Sequence, residues 1–203
     1  LSSAAARARR ELAEAMVTKE EEEHLGLTGF GPEVALYRTM LRLNELHQNR
    51  NGEWFFAKPD ERNPNLKFLW DFMDGILQNT AEKIDSGLVN ISTIIDKIKM
   101  PPFGLREGPF LIFLLHYLLV NSNEIALFQE GEYKPYFGEA EVALLIKRPD
   151  LFSIKKFNIN PFQRDIIKTY FEVLNSKEIQ MDDSLRNTSL LKIVSPLLKF
   201  IDS

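Results

Sequence analysis

Imidazoles are the side chains most able to move a proton or hold a metal near neutral pH, and this chain has three, His24, His47 and His116. They are scattered along the sequence and none belongs to an H-E-x-x-H pair, so no hydrolytic metal centre is written at helical spacing. His116 lies inside an apolar run and is expected to be a hydrogen-bonded core histidine. Carboxylates that could share acid and base work occur at Glu20 to Glu23, at Glu139 with Glu141, and at Asp182 with Asp183. Each group lies in a polar stretch where solvation keeps a carboxylate ordinary, so all of them read as surface. Gly26-Leu27-Thr28-Gly29-Phe30-Gly31 could curl amides round a phosphate, but it lacks the lysine of a G-x-x-x-x-G-K-[ST] loop and reads as a turn before a helix opened by Pro32. The absence of a G-x-S-x-G elbow and of any cysteine removes serine hydrolysis by that route, thiolate zinc sites and cysteine nucleophiles. No catalytic, metal-ligating or cofactor-binding residue is assigned, and the segment is not expected to be an enzyme.

Cations are the remaining candidates. Arg7, Arg9 and Arg10 cluster near the start, and Lys147, Arg148, Lys155 and Lys156 cluster later, yet the formal net charge of −4 gives the whole chain no general attraction for polyanions. Arg106 stands apart because a cation in the first turn of a helix opposes the macrodipole; Glu107 is the expected compensation. These eight residues are the candidate contacts for a nucleotide, an acidic partner or a phosphate backbone.

Several elements must hold them in place. With 203 residues, 44% hydrophobic, the chain can bury a sizeable core, and fifteen Phe, five Tyr and two Trp argue against disorder throughout. Its longest apolar run, Pro109 to Val120, is interrupted by His116 and is shorter than the roughly 20 residues that cross a bilayer, so a buried core helix is expected and no membrane contact. Leu1 in place of Met, and an end falling where an apolar-periodic helix finishes, read as boundaries inside something longer. A chain without cysteine or a signal-like leader suits the cytoplasm.

The periodicity predicts a helix over Ala4–Val17, a charged loop, and a helix from Pro32 to about His47 with Leu36, Met40 and Leu43 on one face. Asn49–Gly52 has turn chemistry, and Trp54–Phe56 reads as a short strand or an apolar plug. Pro64–Thr80 should be helical, and Asn90 should cap a short helix whose Ile91, Ile94, Ile95 and Ile98 share a stripe that Pro101-Pro102 ends. A buried helix over Arg106–Val120 follows, then strands Glu124–Gln129 and Glu132–Phe137 joined by Glu130-Gly131, a helix over Glu139–Lys147 and a strand over Leu151–Ile159. Helices over Pro161–Asn175 and Asn187–Ile201 close the chain.

The expected fold is thus mainly α with a small β-hairpin: a helical region over 1–87, a winged-helix-like module over 88–160 and a C-terminal helical pair over 161–203. Reading DNA with that module would need polar side chains on the helix before the hairpin, and Pro109–Val120 offers only His116 and Tyr117. The hairpin region holds Glu124, Glu130, Glu132, Glu139 and Glu141 against Lys134 and would repel a phosphate backbone.

Pro101-Pro102-Phe103-Gly104-Leu105-Arg106-Glu107-Gly108, the apolar helix after it, and Glu124-Ile125-Ala126-Leu127-Phe128-Gln129-Glu130-Gly131 resemble a segment of large bacterial P-loop ATPases, including the multidomain ATPases of BREX-type phage defence. The resemblance could extend from Ala4-Ala5-Ala6-Arg7-Ala8-Arg9-Arg10 to the final helix. It implies that the ATPase core lies outside this region and that the region is a non-catalytic scaffold contacting other domains or subunits. The alternative is a module that tracks nucleic-acid backbone non-specifically through Arg7–Arg10 or Lys147–Lys156.

Overall fold

Alanine, leucine, arginine and glutamate are strong helix formers, and Ser3–Thr18 is helix α1 in the computed structural model of the chain, which describes residues 3–83, 87–122, 124–134 and 137–157. Its apolar positions Leu12, Ala13 and Met16 are fully buried, and the helix packs on three others. After the charged loop the chain makes a turn in which His24, Leu25 and Gly26 are all left-handed, with φ of 53°, 55° and 63°. Glycine takes that conformation freely; the other two cost about 1–2 kcal/mol each. Leu25 offsets its share by being wholly buried.

The helix expected from Pro32 to His47 is shorter than its pattern. Helix α2 covers Pro32–Tyr37, widens into a π-type turn over Arg38–Arg42, and ends where Glu45 adopts φ 53°. The widening rotates the inward face to Val34, Tyr37 and Leu41, and leaves Leu43 exposed. His47–Arg50 is strand β1, paired antiparallel with β2, Glu53–Phe56, so Trp54–Phe56 is strand and its partner runs from the expected helix end at His47 into the segment read as a turn. Asn51 and Gly52, at φ 57° and 95°, make the tight turn between them.

Helix α3 spans Pro64–Lys83 and buries Leu69, Trp70, Met73, Ile76 and Leu77. Strand β3, Val89–Asn90, leads into α4, Ile91–Lys99, where the Asn90 side chain accepts from the Ser92 amide at 2.8 Å as the expected cap. Helix α5, Glu107–Val120, buries every residue from Phe110 to Leu119 and lies at the centre of the core. Strands β4, Ile125–Gln129, and β5, Glu132–Lys134, form the expected hairpin, with Glu130 and Gly131 at φ 51° and 87°. Helix α6, Glu139–Lys147, and strand β6, Phe152–Lys156, complete the described chain.

Strand β6 does not extend the hairpin's outer edge. It inserts beside β4, giving an antiparallel sheet in the order β3-β6-β4-β5 with Leu127 opposite Ile154 and Gln129 opposite Phe152. Ile125, Leu127, Phe152 and Ile154 are buried in the core, with β6 against α3 and α4, while Phe128 and Tyr133 meet with ring centroids 5.7 Å apart. Among the described residues the architecture is therefore six α-helices with two small antiparallel sheets, mainly helical with β, and no helix is long and apolar enough to cross a membrane. The helices expected over Pro161–Asn175 and Asn187–Ile201 lie outside the described residues.

Candidate interaction surface

Two prolines stop α4, and Gly104, at φ 59°, lets the chain turn into α5. The turn is tied by Leu105 N–H to the Ile98 carbonyl at 2.9 Å and by Gly104 N–H to the Met100 carbonyl at 3.1 Å. Held this way, Phe103 lies across α3, its ring 5.1 Å from Phe68 in a stacked arrangement and 4.6 Å from Phe72. Phe68 is 54% exposed, so this aromatic group is open on its outer side, and Met100, at the head of the same turn, is 65% exposed. Large apolar side chains gathered in water rather than scattered mark a contact surface.

Arg106 occupies the N-cap position of α5, one residue outside the first turn expected for it, and is exposed. Glu107 does not compensate it; its carboxylate accepts from Lys99 Nζ at 2.9 Å. A second expected candidate converges here. Arg9 packs over Gly108, where an added Cβ would stand 2.7 Å from its guanidinium, so α1 delivers a cation to the same helix start. Among the described residues neither Arg9 nor Arg106 forms an ion pair with a carboxylate.

The remaining candidates do not join them. Arg7 and Arg10 pair along α1 with Glu11 at 2.6 Å and Glu14 at 3.4 Å. Arg148 holds Asp150 at 2.7 Å, with its guanidinium raised and the Asp150 carboxyl lowered by that contact. Lys147 is exposed at the end of α6, and the Lys155 ammonium stands 5.6 Å from the centroid of the Phe157 ring. Lys156 is the clear correction: its side chain is only 8% exposed, so it is no surface contact. It pairs with Asp74 of α3, and the same Asp74 oxygen accepts from the Tyr117 hydroxyl of α5 at 2.6 Å. Burial first, then the hydrogen bond and charge of Asp74, push that phenol far above its ordinary range, so it stays a donor. Alternation along Leu151–Ile159 could have flagged an inward lysine, but its partner lies 82 residues away and leaves no local signal.

The histidines are also corrected. Scattered in sequence, they are linked in space through aromatic rings: His24 lies 6.0 Å from Trp54, His47 stacks on Trp54 at 4.9 Å and meets Phe56 at 5.0 Å, and Phe56 meets His116 at 5.6 Å. His47 is buried between the Glu20 carbonyl, 2.8 Å from Nε2, and the Tyr37 hydroxyl, 2.9 Å from Nδ1. A carbonyl only accepts, so Nε2 carries the proton and Nδ1 receives the Tyr37 O–H. His116 is fully buried as expected; the Leu46 and Ala57 backbone carbonyls face the ring as acceptors, but neither ring nitrogen meets them in good hydrogen-bond geometry. Among the described residues no group of His, Asp and Glu is placed to hold a metal ion.

No protein-family model, curated protein or solved structure matches this chain.

Proposed function

We propose that this chain is a non-catalytic interaction region of a larger bacterial ATPase of the phage-defence type, passing nucleotide-dependent motion to neighbouring domains or subunits. The observation that carries the reading is the pair of exposed apolar side chains, Phe68 against Phe103 and Met100 just before the Pro101–Gly108 turn in which the resemblance resides, with Arg106 in that turn and Arg9 over Gly108. Helix α5, whose side chains are spent on the interior, supports it by leaving no polar face to read or cut a substrate. The module over 88–160 is taken as winged-helix-like because a strand, two helices and a hairpin follow one another; the insertion of β6 between β3 and β4 is its particular variation.

In this reading Phe103 holds Phe68 in place as the partner's anchor and Arg106 is an electrostatic guide at the edge of the contact. Phe103→Ser in the parent protein is expected to lower nucleotide-dependent cross-linking of this region to its neighbours about tenfold. Phosphate release by the isolated chain, at a rate lost on mutating its own residues, would sink the reading. The nucleic-acid alternative is checked by titrating DNA binding against salt: phosphate contacts give a steep loss of affinity, and no binding at low salt removes it.

A further inference from the structure

The hairpin of β1 and β2 is fastened to the body by a seam in which His47 and His116 are the central side chains. From α1's end, the Glu20 carbonyl accepts from His47 and the Glu20 carboxylate accepts the Phe56 amide at 3.2 Å. From α2 comes the Tyr37 hydroxyl, and from its π-type turn Arg42, whose guanidinium sits 5.6 Å from the Trp54 ring centroid. From the left-handed turn comes His24, against both Tyr37 and Trp54. From α5 comes His116, covered by Phe56 of the hairpin, Trp70 of α3 and Phe113, with the backbone of Leu46 and Ala57 alongside; Lys58 stands 5.6 Å from the centroid of Trp70. The hairpin carries only four residues per strand and a two-residue turn, and such a ribbon does not hold itself together in water without packing.

We propose that this hairpin is an acid-released flap, a ribbon clamped over α5 by imidazoles that pack only while neutral, which comes off as a unit when they protonate and leaves the helices beneath folded. A proton on His47 places a second cation beside Arg42 and turns Nδ1 into a donor facing the Tyr37 hydroxyl, which must then reverse. A proton on His116 puts a charge in a fully desolvated site, where the Leu46 and Ala57 carbonyls offset only part of the burial cost. Release exposes Trp54 and Phe56, an aromatic strip separate from the Phe103 surface.

The sign follows from linkage. Burial lowers both groups, His116 to about 4, so the clamped state binds fewer protons than the released one. Clamping is strongest well above pH 6.5 and weakens as pH falls towards 4, by up to tenfold per pH unit for His116 and about a hundredfold over that window.

Amide hydrogen exchange of the whole chain from pH 7 to 4, corrected for intrinsic rates, tests this. The Asn49–Ala57 amides are expected to lose about a hundredfold more protection than those of Phe113–Leu119, and His116→Leu with His47→Gln is expected to flatten the difference. Parallel loss in hairpin and α5, or hairpin protection that ignores pH, overturns the proposal from the wild-type chain alone. An unaltered pH profile in the folded variant overturns it too.

Discussion

His116 and Tyr117 are neighbours on α5, both in the core, and they meet opposite fates. Tyr117 turns towards α3 and β6, where its hydroxyl, the Asp74 carboxylate and the Lys156 ammonium share one hydrogen-bonded group. His116, a hundred degrees round the helix, turns towards β2 and meets only rings and backbone, with the Leu46 and Ala57 carbonyls near it but out of good hydrogen-bond geometry. A polar side chain in a core is either a strut between elements or a desolvated group that weakens its seam. Here the strut joins α3, α5 and β6, while the weak seam carries the β1–β2 hairpin.

The comparison breaks most visibly at Lys156. Lys156→Met removes the cation and leaves Asp74, 24% exposed, with half its partners gone, which is expected to cost about 3–5 kcal/mol. Urea unfolding followed by far-UV circular dichroism measures it. Adding Asp74→Asn should recover much of the loss, because the penalty arises from the stranded charge and not from missing volume. A single Lys156→Met variant as stable as the parent chain would mean the lysine lies in solvent and the strut does not exist.

Tyr117→Phe is milder, since the ring stays and the Asp74–Lys156 pair survives. Losing one hydrogen bond to a charged acceptor is expected to lower stability by about 2 kcal/mol. Less than a few tenths would place Asp74's stabilisation entirely with Lys156.

Much of this architecture was legible in the sequence where the pattern is local. The Asn90 cap, the isoleucine stripe of α4, the apolar run of α5, the Glu130-Gly131 turn and the bounds of α6 all follow from periodicity and turn chemistry within a dozen residues. Where a long-range partner decides, sequence was mute or misled. Leu36, Met40 and Leu43 trace a helical stripe of which the first two do pack on the core, yet the π-type turn leaves Leu43 exposed and the pairing of His47–Arg50 with β2 ends the helix early. Strand β3 has two residues and exists only because β6 pairs with it. Lys156 counted as surface because lysine usually is; Asp74 sits in an unremarkable helix with nothing to announce it. Of the candidate surface, Arg106 and the turn before it could be read in advance, but the convergence of Arg9 and the stacking of Phe68 on Phe103 depend on how three helices meet.

The smallest effect at neutral pH is the one that sharpens the contrast most. His116→Leu replaces an unpaired imidazole with an apolar side chain of similar size, among Phe56, Trp70 and Phe113. If the ring nitrogens are unsatisfied, the change is expected to raise stability by about 1 kcal/mol, seen as a higher urea midpoint at unchanged slope. The same reasoning fixes the trend with acid. Wild-type stability falls between pH 6.5 and about 4, as the unfolded chain takes up a proton that the buried ring refuses, and the variant lacks that component, so its advantage must grow as pH drops. A destabilised variant would show instead that the Leu46 and Ala57 carbonyls accept from the imidazole in solution. Tyr117 and His116 would then differ in the charge of their partners and not in having them.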